Sequence, residues 1–136
     1  NYIQKYRKND NAFFYKKGSE SAKSMIKALK QNEDLALLID QRDSSGLEID
    51  FFGKKALATD GFANLAIKYK TMICPVYSIR NQNGTFQIIF EKPMRYEQYK
   101  NYNIKEFVET IHKKYFEKWI THSPAQWLWV HQRWKL

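Results

Sequence analysis

From Gly18 onward, apolar residues fall at helical spacing: Ala22, Met25, Ile26 and Leu29 occupy i, i+3, i+4 and i+7, one stripe of an amphipathic helix. Ser19 stands where a helix cap belongs, and Lys27 and Lys30 suit the negative end of the dipole, so the pattern predicts a helix over about 19–31. The period then changes. Leu35-Ala36-Leu37-Leu38-Ile39 is a continuous apolar run, stopped by the polar stretch from Asp40 to Gly46. It reads as a strand buried on both faces, as in a parallel sheet, followed by a polar loop. In 47–57, Leu47, Ile49 and Phe51 alternate with charges until Phe52-Gly53 breaks the pattern, and this stretch is expected as an ordered loop.

Thr59 or Asp60 then caps a helix whose stripe is Phe62, Leu65, Ala66 and Tyr69, with Lys68 and Lys70 at its end. Thr71–Arg80 follows as a second apolar strand, its Pro75 suited to an edge or bulge. Asn83-Gly84 is a turn signal, and Phe86, Ile88 and Phe90 alternate beyond it, so strands at 72–80 and 85–91 are expected to pair as a hairpin. The longest stripe is Ile104, Phe107, Val108, Ile111, Tyr115, Phe116, Trp119 and Ile120, with Lys105, Glu109, Lys113 and Lys118 on the other face and Glu109–Lys113 spaced as an ion pair. This order of helices and strands predicts an α/β protein, a mixed sheet flanked by helices.

The chain has 136 residues, 43% of them hydrophobic, which fits one domain large enough for a real core. The single cysteine, Cys74, excludes an internal disulfide; lying within an apolar strand, it is expected to be inert packing. No apolar run approaches the roughly 18 to 20 residues needed to span a bilayer. Charge and aromaticity change the picture more. Lys plus Arg is 23 against 14 acidic residues, a formal +9, and aromatics make up 16% of the chain. Such a surface points to phosphates, on nucleic acid, anionic lipid or a small ligand. The opening run NYIQKYRKND reads like the tail of a helix already under way, and the chain is expected to be a piece of a longer one.

Asp40 is the leading candidate carboxylate, because ligands of open α/β sheets gather beyond the carboxyl ends of strands. It would orient a phosphate or a catalytic base; the plainer alternative is that it caps the strand end and pairs with Arg42. His112 and Glu117 stand five residues apart, a spacing used by acyltransferases for a base and its orienting acid. In an uninterrupted α-helix those positions lie about 140° apart, so His112 is expected to be a surface histidine. His122 and His131 lack partners at metal-ligand spacing, and Gly46, Gly53 and Gly61 fit no phosphate-binding loop, so neither metal nor cofactor is expected. Trp127, Trp129, His131, Arg133, Trp134 and Lys135 alternate aromatics with donors, which suits a membrane interface, a single-stranded nucleic acid, or simply completion of the core.

Three stretches resemble the bacterial lipid A biosynthesis acyltransferases, the lauroyl and myristoyl transferases. Residues 123–135, SPAQWLWVHQRWK, look like the family's P-x-Q-W-L-W-x-H-x-R-W-K signature. Residues 25–46 resemble its helix, strand and D-Q-D loop, and residues 51–80 its F-F-G segment, next helix and next strand. The resemblance implies the C-terminal part of a glycerophosphate-acyltransferase type of α/β fold, occupying 1–136 as part of a single domain. It also implies transfer of a fatty acyl group from acyl carrier protein to a hydroxyacyl chain of a lipid A precursor, at the cytoplasmic face of the inner membrane of a Gram-negative cell. The family's H-x-x-x-x-D/E base and its N-terminal anchor belong upstream of Asn1, so this chain alone is expected to be inactive.

Carried over by position, Asp40 matches the family's loop aspartate, with Arg42 replacing the second acid of D-Q-D. Arg7 is the nearest match to a family arginine that would stabilise an oxyanion or bind phosphate. The expected substrate-binding set is Asp40, Arg42, His131 and Arg133, meeting an anionic membrane surface and no nucleic acid. The competing reading is a basic, aromatic-rich module that attaches to anionic membrane or nucleic acid without catalysis.

Overall fold

The computed structural model describes Phe14, residues 19–129, Arg133 and Trp134. The chain divides into Asn1–Ala36 and Leu37–Leu136. In the first unit, helix α1 spans Ser19–Lys30, as its stripe predicts. It ends because Asn32 turns left-handed (φ 59°), which lets the Asn32 and Glu33 amides bond back to the carbonyls of Leu29 and Ala28.

The apolar run 35–39 joins no ladder among the described residues, contrary to the strand expected there. A strand buried on both faces needs neighbours on both sides, and no described strand supplies one; Leu38 is 84% exposed.

Pairing begins at β1 (Arg42–Phe51), which runs antiparallel to β2 (Lys54–Ala58). The loop expected over 47–57 is therefore a hairpin, and the Phe52-Gly53 interruption is its two-residue turn. Both turn residues have positive φ, 54° and 72°, the backbone twist that favours such tight connections. The alternation of Leu47, Ile49 and Phe51 keeps its strand meaning, since Ile49, Phe51, Ala56 and Ala58 are all fully buried. Arg42 and Leu47 both face Ala58, so Asp43–Gly46 bulge out between them. Ser45 ties the bulge by donating to Asp43 Oδ1 from its amide (3.2 Å) and its hydroxyl (2.8 Å). Gly46 permits the close approach: a Cβ there would lie 2.1 Å from the Ala58 carbonyl oxygen.

Helix α2 (Gly61–Tyr69) buries Phe62, Ala63 and Ala66 and begins after Asp60, whose carboxylate receives the Asn64 amide at 3.0 Å. A second hairpin follows, β3 (Val76–Arg80) with β4 (Phe86–Phe90), in the register Val76↔Phe90 to Arg80↔Phe86. It turns through Asn81–Thr85, as Asn83-Gly84 predicts, while an isolated Ile73↔Met94 bridge continues the pairing below Pro75. The α/β class stands, but the mixed sheet does not form among the described residues: the strands make two separate antiparallel pairs.

The long helix is α3 (Ile104–Ile111), a wider π-helical stretch (His112–Glu117) and α4 (Lys118–His122), joined end to end through helical backbone. Asn103 and Glu106 cap its start reciprocally, at 2.9 and 3.0 Å. The π-helical stretch corrects the expectation of an uninterrupted α-helix, and the residue pattern explains it. Phe107, Ile111, Tyr115 and Trp119 repeat every four residues, as do Val108, His112, Phe116 and Ile120. On an α-helix a repeat of four drifts about 40° at each step. Wider turns cancel the drift and keep both rows on the core, where Phe107, Val108, Ile111, His112, Tyr115, Phe116 and Ile120 are buried against the first hairpin, α2 and Tyr99.

Candidate functional site

The second row of this helix carries an imidazole into the core. His112 is fully buried, between Phe51 (ring centroids 5.6 Å) and Phe116 (5.0 Å), which corrects the surface position expected for it. Its Nδ1 lies 2.8 Å from the Val108 carbonyl, an acceptor, so Nδ1 carries the proton and Nε2 offers a lone pair. Arg133 Nη2 donates to that Nε2 at 2.8 Å. Burial pushes the imidazole down to about 4, the Val108 bond working against that and the Arg133 charge reinforcing it. The ring is therefore neutral at pH 7.

Arg133 is 2% exposed and joins three parts of the unit. Nη1 donates to the Asp40 carbonyl, Nη2 reaches His112, and the guanidinium carbon lies 5.2 Å from the centre of the Phe51 ring. Burial lowers its proton affinity, and the negative charge of Asp40 works in the opposite direction. Its Nε is buried without a hydrogen-bond partner among the described residues. Beside it opens a cavity of about 60 Å³ lined by Asp40, Gln41, Trp127, Leu128 and Arg133.

The C-terminal segment clasps the unit from the outside. The Gln126 side chain accepts from the Arg80 amide (2.8 Å) and donates to the Arg80 carbonyl (3.2 Å), holding the end of β3. Trp134 stacks on Phe51 at 5.7 Å and donates to its carbonyl at 2.9 Å. Trp127 and Trp134 thus pack against the core, whereas Trp129 is about half exposed, its indole N–H donating to the Pro124 carbonyl at 2.7 Å.

Asp40 and Arg133 are brought together, and the cation hydrogen-bonded at Asp40 is Arg133 rather than Arg42, which is exposed at the start of β1. Arg7 and His131 lie outside the described residues. Cys74, expected as buried packing, is exposed, its thiol 3.6 Å from the Glu91 carbonyl. Sequence reasoning missed His112; its place in the row Val108, His112, Phe116, Ile120 was the available signal. Among the described residues no cluster of three His, Cys, Asp or Glu could hold a metal, and no helix is long and apolar enough to cross a membrane.

A broader open groove, about 830 Å³, lies between Phe52, Tyr77 and Trp119 and is edged by Lys113, Lys118 and His122. Tyr77 stacks on Trp119 at 4.5 Å, and Glu91 accepts from the Trp119 indole at 3.0 Å.

No curated protein matches this chain. A family model described as bacterial lipid A biosynthesis acyltransferase matches residues 1–136.

Proposed function

This chain belongs to the bacterial lipid A biosynthesis acyltransferase family, and from that premise we propose that it forms part of the acceptor-binding region of an enzyme acylating a lipid A precursor. The acyl donor in this reading is acyl carrier protein, the acceptor a hydroxyacyl chain of the precursor, and the workplace the cytoplasmic face of the inner membrane. One observation carries it. Asp40, at the position of the family's loop aspartate, is held by Arg133 of the C-terminal signature across 93 residues of sequence. Asp40 and the exposed Arg42 would face the acceptor.

The general base in this reading comes from outside the described residues. His112 has its lone pair engaged by Arg133 and its proton on Val108, so it cannot take a proton from a hydroxyl without dismantling the core. The test is acyl transfer by the purified chain, with labelled acyl carrier protein as donor and a lipid A precursor as acceptor. No transfer is expected, with activity appearing once an upstream H-x-x-x-x-D/E segment is supplied. Transfer by the chain alone would place a base within it and overturn the assignment.

A second reading, a binding module without catalysis, draws on the +9 charge and the exposed Trp129. Flotation with anionic liposomes set against titration with a single-stranded oligonucleotide separates the two. The acyltransferase reading expects lipid preference, and equal salt-sensitive binding to both marks nonspecific charge.

A further inference from the structure

We infer that His112 is a positioning residue for the Asp40 segment, acting through Arg133: the neutral imidazole orients the guanidinium, and the guanidinium holds the Asp40 backbone. This rests on the acyltransferase reading only for its purpose, since Asp40 is the residue that reading places at the acceptor.

The segment before β1 has no ladder partner among the described residues, so its position depends on side chains that reach it. Arg133 reaches it with one nitrogen and the helix with another. A guanidinium is a rigid planar fork, so fixing one nitrogen fixes the direction of the rest. His112 fixes Nη2, and its own ring is fixed by Val108 at one nitrogen and by Phe51 and Phe116 on its faces and edge. The chain of contact therefore runs from the helix backbone to the imidazole, the guanidinium and the Asp40 carbonyl.

The arrangement also requires an uncharged ring, because an imidazolium Nε2–H would point at Arg133 and leave two donors facing each other. Arg133 is the charged group bonded to the ring, and Asp40 lies beyond it. On the helix itself, Glu109 and Glu117 are engaged elsewhere, with the amides of Asp50 and Phe52. No carboxylate among those groups bonds the ring, and the Val108 carbonyl, the one contact that favours the charged form, is outweighed by burial and by Arg133.

The test uses the chain as it stands. Nitrogen-15 spectra of the wild type should show His112 protonated on Nδ1 at pH 7, with the Arg133 guanidinium signals shifting at the same acidic midpoint as the imidazole, near 4. An Nε2-protonated ring, or titration near the ordinary histidine value, would overturn the inference. Trypsin cleavage after the exposed Arg42, measured relative to cleavage after Arg80 in the other hairpin, reports the Asp40 segment. His112→Leu should raise that ratio about tenfold, the effect of losing one charge-assisted hydrogen bond. His112→Gln, whose side-chain oxygen can still accept from Arg133, should restore it and abolish the pH dependence of the Arg133 signals. Equal ratios in wild type and His112→Leu would overturn the inference, as would a ratio raised equally in both variants. If His112→Leu does not fold, the wild-type spectra and His112→Gln decide. Neither readout involves acyl transfer, so failure of the function proposal registers separately in its own assay.

Discussion

Glu117 gives its carboxylate to the Phe52 amide, 2.7 Å away, rather than to His112 five residues before it. About two turns back, the same helix makes a similar gift: Glu109 accepts the Asp50 amide at 3.2 Å. The two glutamates pin the first hairpin to the helix at its tip, and the spacing that resembles a catalytic pair serves two different neighbours.

Replacing Glu117 by Ala should therefore loosen the hairpin. A half-exposed bond to a charged acceptor contributes about 1 kcal/mol, and Glu117→Gln should retain most of it. Urea midpoints compare the two, and equal loss in both variants would show that charge rather than the hydrogen bond matters.

Acid should destabilise the chain through His112. Its folded value, about 4, lies below the unfolded 6.5, so the unfolded state binds the extra proton first. Stability from this group is complete above about pH 6.5 and falls as pH drops toward 4, by about 3 kcal/mol in all. His112→Gln should flatten that limb in urea titrations between pH 4 and 7, while leaving the carboxylate-driven loss at lower pH.

Two glycines should respond differently to alanine. At Gly46 a Cβ meets the Ala58 carbonyl at 2.1 Å, so the bulge must open, at a cost of about 3 kcal/mol. At Gly84 the space is free and only the positive φ (83°) resists, at about 1 kcal/mol. Thermal unfolding of both variants checks the order.

On the second hairpin, Phe86, Ile88 and Phe90 are each more than 60% exposed along one face, with Val76 opposite Phe90. An apolar face of this kind promotes association. Changing all three to Thr should lower concentration-dependent light scattering without lowering the melting temperature, and unchanged scattering would locate the association elsewhere.

Amphipathic stripes carried most of the fold from sequence: α1, α2, the long helix and the Asn83-Gly84 hairpin all stand where their periods put them. The first hairpin was hidden because Phe at a left-handed position is rare, so Phe52-Gly53 looked like a break rather than a turn. The run 35–39 misled because hydrophobicity signals burial and says nothing of a pairing partner. Asp40 was noticed as the end of that run, which forms no strand among the described residues. Its bond with Arg133 was not, since nothing local joins residues 93 apart, and His112 was hidden by assuming an α-helix where the four-residue repeat called for wider turns.

That repeat gives the gene an asymmetry in what it can lose. The turn at Asn81–Thr85 is exposed, and a codon added there lengthens a loop. A single codon deleted between 104 and 111 leaves composition almost untouched, yet rotates everything after it by about 100°. Trp119 would leave Tyr77, Ile120 would leave the core, and Gln126 would swing from the end of β3. Length in this stretch is thus under tighter constraint than residue identity, and tolerated deletions should fall in the loops and avoid the helix.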